Sequence, residues 1–464
     1  MNNPTSNATT TNPATGPRRL HGWGRTNPSP AVVHTPSSVD DVLAHVTAGT
    51  PRGIIARGLG RSYGDPAQNA GGLVLDLTRL NRILHIDAEA EPPTVTVEAG
   101  VSLDQLMKEL LHHRLWVPVL PGTRQVTIGG AIGADVHGKN HHTQGSFGNH
   151  VRSLDLVTAD GKVRTVGPEN DPDLFWATIG GMGLTGVVVR ATVEVQRVET
   201  AFFAVDTDRT HDLDDLMARM TDGDDNYTYS VAWFDAVTRG KHLGRAVLTR
   251  GNKASVDELP PALRRDPLKF VAPSFGTIPD LFPNGLLNRV TARAFSEFWF
   301  RKAPKHAVGE IQNITQFFHP LDILADWNRV YGPAGFLQYQ FAVPFNADAV
   351  FRRAVETIVH SGHVSALNVL KRFGPANPGM LSFPMPGWTL TVDFPIREGL
   401  ADLCRRLDEL VLSAGGRTYL AKDSRVSPDA LRRMYPRLAD FTAVRDRVDP
   451  NRVFVSDQSR RLDL

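Results

Sequence analysis

The sequence predicts an α+β protein of more than one domain. A chain of 464 residues exceeds what one ordinary hydrophobic core serves. Over the first 200 residues, helical and strand-like patterns are interspersed without the regular strand–helix repeat of a doubly wound sheet. Beyond about residue 200 the glycine clusters stop. Aromatic and β-branched segments then predict strands at Tyr227 to Phe234, Phe336 to Val343 and Trp388 to Phe394.

The elements follow in order. Met1 to Arg19, rich in Asn, Thr and Pro, reads as a disordered tail without a secretory signal, and order is expected from near Trp23. Ser38 and Asp41 form a capping box for a helix whose inner face is Val39, Val42, Leu43 and Val46. Gly53 to Arg57 is a short buried strand, and Thr94 to Glu98 alternates as a half-buried one. Ser102 with Gln105 caps a second helix that buries Leu103, Leu106, Met107, Leu110 and Leu111. Leu154 to Thr158 and Lys162 to Val166 flank the turn signal Asp160-Gly161. Asp171-Pro172 starts a third helix, and Val187 to Val195 is a long strand. We divide the chain into a tail (1–19), a first domain (20–200), a second domain (201–415) and a closing segment (416–464). Within the second, Leu259–Lys302 mixes aromatic and aliphatic residues with Arg, Lys and prolines and reads as a mobile lid.

Composition narrows the function. Lys+Arg at 51 against Asp+Glu at 49 leaves a net charge of +2, which argues against nucleic acid as a partner. Cys404 is the only cysteine, so an internal disulfide and a thiolate metal cluster are excluded. His137, His141, His142 and His150 have no thiolate or matched carboxylate spacing, and no metal is expected. No run reaches the roughly 18 apolar residues of a membrane span. A cytoplasmic protein, or one peripheral at the inner membrane, is expected, with a periplasmic location as the alternative.

Three glycine-rich stretches carry the chemical signal: Arg57 to Asp65, Pro121 to Gly138, and Gly180 to Gly186. Glycine there lets backbone N–H groups turn inward and make anion-binding concavities. The third contains a literal GxGxxG at Gly181, Gly183 and Gly186, but a dinucleotide fingerprint needs strand, loop, then helix. Here a helix precedes and a strand follows, so the Rossmann reading is rejected. Pro66, Asn69, Gly71 and Gly72 likewise forbid a helix after the first stretch.

The strand-RGxGRS loop, the PGT…TIGGAI…HG loop, the LFWAxxGGxGLTG turn and the closing Asp449 to Phe454 resemble the FAD-binding domain of the vanillyl-alcohol-oxidase family. HGKNHH at His137, YTYSVAWFDA at Tyr227, GPAGFLQYQF at Gly332 and AKDSR at Ala421 bring the chain closest to the branch acting on polyprenyl-phosphate ribose. The resemblance implies a two-part FAD domain with a substrate domain on an antiparallel sheet inserted between its parts. It implies that Ala56, Arg57, Gly58, Leu59, Gly60, Arg61, Ser62, Tyr63, Gly64, Asp65, Gly122, Thr127, Ile128, Gly129, Gly130, Ala134, Asp135, Val136, His137, Val187 and Tyr419 line the FAD. Many relatives attach flavin covalently through a His where this chain has Arg61. A guanidinium is no nucleophile, so non-covalent FAD is expected, with Arg61 facing phosphate or a flavin carbonyl.

The implied reaction oxidises the ribose 2-hydroxyl to a ketone, after which a separate NAD(P)H-dependent short-chain reductase returns hydride from the other face. Lys422 is the first choice for the base, which requires a depressed pKa; Tyr63 and His137 are the alternatives. Lys139 and Lys371 are candidate neighbours that either depress it or bind the substrate phosphate. Gln338 and Gln340, two apart on a strand, share one face and are read with Thr389 and Thr391 as substrate-lining. Trp233 either packs on the substrate or fills the core. At Thr391 the family pattern has a Cys that traps nitroaromatic inhibitors covalently; this chain departs from it, which should spare catalysis and remove the adduct. The lid would meet the polyprenyl tail at a membrane surface. Rival readings are an FAD oxidase of a soluble alditol or sugar lactone, and a non-catalytic flavin-binding scaffold.

Overall fold

The computed structural model describes residues 16–464. A four-stranded sheet orders Gly16–Leu20, Ser29–His34, Leu73–Asp76 and Ile54–Arg57, and the last three of these run parallel. A five-stranded antiparallel sheet orders Ile83–Asp87, Thr94–Glu98, Val187–Glu194, Val151–Val157 and Val163–Val166. The third sheet has eight strands, all antiparallel. From one edge they are His306–Asn313, Phe202–Thr210, Ala246–Lys253, Tyr229–Phe234, Asn368–Phe373, Gly387–Pro395, Phe336–Val343 and Arg417–Thr418. The fold is therefore α+β.

Local chemistry explains the elements. Ser38 caps Val39–Ala48 by accepting from the Asp41 N–H, and Ser102 caps Leu103–His112 through Gln105. The second helix buries its whole predicted stripe, Leu103, Leu106, Met107, Leu110 and Leu111, whereas in the first Val42 and Val46 are buried and Val39 and Leu43 half-buried. The Asp160-Gly161 turn joins two paired strands, with Gly161 at φ 72°. Asp171 caps Pro172–Thr178.

Two readings need correction. The expected tail reaches too far: Gly16–Leu20 is a strand paired antiparallel with Ser29–His34, while residues 1–15 lie outside the described residues. An edge strand satisfies its backbone through its neighbour, so Arg18 and Arg19 can stay exposed. Ile128–Gly133, expected as a glycine loop, is a short helix. Burial of Ile128, Ala131 and Ile132 in the core overrides the poor propensity of its glycines. The GxGxxG turn packs onto this helix: Gly180 N–H donates to Ile132 O at 3.0 Å and Met182 N–H to Gly133 O at 2.9 Å.

The chain's end closes on its beginning. Ile54 N–H donates to Val453 O and Val455 N–H to Ile54 O, adding a short strand-like stretch beside Ile54–Arg57. Asp449 holds that stretch by accepting from the N–H groups of Val453 and Phe454 at 2.7 and 2.9 Å. Phe454 is fully buried with Val42, Val46, Ile54, Leu73, Leu75 and Val187. Truncating an aromatic side chain in such a core costs about 3–5 kcal/mol. Phe454→Ala should therefore lower the melting temperature and speed loss of cofactor together, because the same cluster supports the strand that leads into Arg57 to Asp65. Thermal melts paired with release of flavin absorbance check this.

Candidate active site

The eight-stranded sheet turns one face towards the glycine loops. In its register Gln338 lies opposite Asp393, Gln340 opposite Thr391, Lys371 opposite Thr389, and Trp233 opposite Val369, which itself faces Thr391. Cross-strand partners point the same way, so these side chains share a face. Trp233, Val369, Lys371 and Thr391 are half-buried on it, whereas Phe336–Val343 is buried throughout. Gln338 and Gln340 are buried and bonded: Gln338 donates to Asp393 at 2.5 Å and Gln340 to His137 Nε2 at 2.9 Å. The Trp233 indole donates to Ala366 O, and its ring lies 6.5 Å from Trp299 of the helix Arg289–Lys302.

From the other side come the loops. Tyr63 N–H donates to Ala421 O at 2.9 Å, and the Lys422 ammonium sits 3.7 Å from the centre of the Tyr63 ring. Gly64 is required here because a Cβ would fall 1.7 Å from Asp423 O. Asp65 and Asp423 share the Arg461 guanidinium, so the Asp65 side chain is committed to protein. Arg57 braces its own loop through Ala67 O and His21 O. Gly58 lies against Thr127, where a Cβ would meet Oγ1 at 2.2 Å, so the first two glycine loops touch. Asp135 is turned away from the sheet face onto Ser146, Gly148 N–H, Asn377 and Ser382. Tyr419 donates to Ala134 O at 2.7 Å and stacks on Phe383. The side chains of Ile128 and Val187 are fully buried in core clusters.

Charge is concentrated on this face. Lys139, Lys371 and Lys422 are half-buried, and loss of water around their ammonium groups pushes their pKa values down, to about 7 for Lys139 and about 8 for Lys371. Lys371 depresses both Lys139 and Lys422, whereas no influence of Lys139 on Lys422 is found; of the two expected neighbours, only Lys371 acts on it. Lys139 instead donates to Phe317 O, with its ammonium 4.4 Å from the Phe317 ring centre. Lys371 Nζ has no hydrogen-bond or ion-pair partner among the described residues. Burial also drives His137 well below 6.5, so its ring is neutral at physiological pH. The one acid in the group is Asp393, whose carboxyl is raised by desolvation and partly held down by Gln338 and Lys422. Burial and the Asp393 charge raise Tyr63 and Tyr331 well above 10, so both phenols stay protonated.

Asp393 and Tyr331 were not singled out from the sequence. Asp393 had a signal: it continues the two-residue alternation of Thr389 and Thr391. Tyr331 had none. The histidines expected to bind no metal each have another partner: Gly374 N–H donates to His141 Nδ1, while His142 and His150 bond the carbonyls of Tyr227 and Gln144.

The loops fit a flavin dinucleotide. Nothing lies within 4 Å of a Cβ placed on Gly122, and on Gly133 the nearest atom is Gly183 N at 3.8 Å, so the backbone is open to approach at both positions. His137 Nδ1 and Arg61 Nε are buried and unpartnered. Since Gln340 donates to Nε2, the free Nδ1 carries the proton and faces a missing acceptor. Residues Gly58 to Ser62, Gly122, Thr127 to Gly130 and His137 would hold the dinucleotide, with Tyr419 beside them. Arg61 stacks 4.0 Å over Trp23, with Asp322 and Asp326 as its nearest opposite charges.

A family model of FAD-binding domains matches residues 30–167, and one of D-arabinono-1,4-lactone oxidases matches residues 390–462. Fold and site define an FAD-dependent oxidoreductase. Decaprenylphosphoryl-β-D-ribose oxidase of Mycolicibacterium smegmatis is 55% identical over 460 residues, 98% of this chain and 99% of its own. The chain belongs to the decaprenylphosphoryl-β-D-ribose oxidase family. It is more distantly similar to L-gulono-1,4-lactone dehydrogenase of Mycobacterium tuberculosis, at 25% identity over 94% of this chain and 96% of that one. Mouse L-gulonolactone oxidase is 30% identical over 38% of this chain and 40% of its own.

With Arg61 in the first loop and no nucleophile in its place, FAD should leave the denatured protein. Acid precipitation is expected to put the yellow colour in the supernatant; a pellet that stays yellow through washing would show a covalent bond.

Proposed function

We propose that this chain oxidises the 2-hydroxyl of decaprenylphosphoryl-β-D-ribose to the 2-keto sugar, the first half of an epimerisation to the arabinose configuration for cell-wall arabinan. The observation that carries the reading is the convergence of Lys139, Lys371 and Lys422 on one enclosed face with a single acid, Asp393. Lys139 and Lys371, neither paired with a carboxylate among the described residues, offer positive charge that a substrate phosphate would neutralise. FAD, when bound, supplies the hydride acceptor. Neutral Lys422 takes the hydroxyl proton, because Tyr63 stays protonated and the His137 ring is a far weaker base. Gln338, Gln340, Thr389 and Thr391 offer donors and acceptors to the ribose hydroxyls, and Trp233 forms the rim.

The polyprenyl tail is assigned to the segment between Leu259 and Lys302, which acts as a lid at a membrane surface. Phe275, Leu281, Val290 and Phe298 are 61–83% exposed there, among basic residues such as Arg289, Arg293 and Arg301. No helix among the described residues is long and apolar enough to cross a membrane. The protein works as a peripheral one at the inner membrane, and an NAD(P)H-dependent short-chain reductase consumes its ketone.

Anaerobic bleaching of the flavin by decaprenylphosphoryl-ribose, but not by free ribose, an alditol or an aldonolactone, is the deciding measurement. Equal bleaching by a free sugar would favour a soluble-substrate oxidase, and none by any alcohol a scaffold. Replacing Phe275, Leu281, Val290 and Phe298 with Ser should slow turnover of vesicle-borne substrate while sparing a short-chain soluble analogue, since apolar burial is worth about 25 cal/mol per Å². Equal losses on both would remove the lid from the reading.

Lys422→Ala should keep FAD and lose about a hundred- to ten-thousand-fold in flavin reduction rate. The pH dependence gives a finer check. Lys422 acts only when neutral, so the rate should rise with pH through its pKa, lowered to about 7. The Asp393 charge holds that pKa up; Asp393→Asn should therefore move the acidic limb to lower pH. A limb that stays in place would show that Lys422 is not the titrating base.

A further inference from the structure

We propose a zinc site on the outer edge of the first domain, formed by His34, Asp41 and His45 and separate from the active site. The three side chains come from two elements. His34 ends the strand Ser29–His34, fixed by its pairing with Leu75. Asp41 and His45 lie one turn apart on the helix Val39–Ala48, so they stand on one face. The imidazoles approach at 4.0 Å between ring centres, tilted by 50°, and both Nε2 atoms face the Asp41 carboxylate, with that of His34 reaching Oδ1 at 3.1 Å and Oδ2 at 3.2 Å. Asp41 Oδ1 is 3.1 Å from His34 Nε2 and 3.5 Å from His45 Nε2, and all three donor atoms lie within 4.8 Å of one another.

Those spacings suit a metal. Zn–N and Zn–O bonds of about 2.0–2.1 Å in a tetrahedron place neighbouring donors roughly 3.3–3.4 Å apart. The donor set, two imidazoles and one carboxylate, is one that zinc accepts, leaving a fourth position for water. The carboxylate is held in place: Ser37 N–H donates to Asp41 Oδ2 at 3.2 Å, leaving Oδ1 for the metal. The side chains are 24%, 30% and 33% exposed, so an ion has a path in. Val42 and Val46 on the same helix are buried against Ile54, Leu73 and Leu75. A bound ion would fasten this helix to the end of its neighbouring strand.

The test uses FAD-loaded, tag-free full-length protein, treated with chelator and titrated with Zn²⁺ by calorimetry. One equivalent should bind with micromolar affinity and raise the melting temperature. His45→Gln and Asp41→Asn, which keep the helix and its Ser37 contact, should each weaken binding about tenfold or more. His34→Ala should do the same, with FAD content and the metal-free melting temperature as in the unsubstituted protein. No heat of binding, or a single equivalent whose affinity none of these substitutions changes, would overturn the site.

Discussion

The site depends on the closure of the first glycine loop against the segment Ala421 to Arg425. Gly64 meets Asp423 so closely that any side chain would collide with its carbonyl, and Tyr63 N–H is tied to Ala421 O. Arg461, from the last helix, clamps Asp65 and Asp423 together. This joint sets Lys422 over the Tyr63 ring, and with it the approach of the cofactor loops to the substrate sheet. Residues some 360 positions apart in the chain thus form one rigid corner, with charge-assisted bonds where backbone ladders are absent.

Enclosure by that corner accounts for the electrostatics. Every unusual titration on the sheet face has desolvation as its first cause, in Lys139, Lys371, Lys422, His137, Tyr63 and Asp393 alike. Burial alone moves lysines and carboxyls towards neutrality, and their mutual charges then divide the outcome. Lys422 and Asp393 are drawn to a similar range from opposite sides, which makes a proton easy to exchange near neutral pH.

The glycine stretches show how a motif misleads when taken without its surroundings. The GxGxxG at Gly181 to Gly186 is the one that matches a fingerprint, yet Met182 within it and Gly180 just before it donate their N–H groups to Gly133 O and Ile132 O, so it serves as a support. The stretch from Gly122 to Gly133 matches no dinucleotide spacing and contains a helix of six residues.

Helices with a capping side chain and a periodic apolar face were legible in the sequence, as were strands with alternation, because both signals are local. The FAD-binding domain was legible through family resemblance, which also pointed to Lys422, and the spacing of Gln338 and Gln340 gave the face they share in the sheet. The strand Gly16–Leu20 was not, since an edge strand needs only a neighbour's hydrogen bonds and no pattern of its own. The part of Tyr331, and the placing of Asp393 against Gln338 and Lys422, were decided by tertiary structure alone. What they do depends on sheet register and on burial between chain segments far apart in sequence, and neither is encoded in any local run of residues.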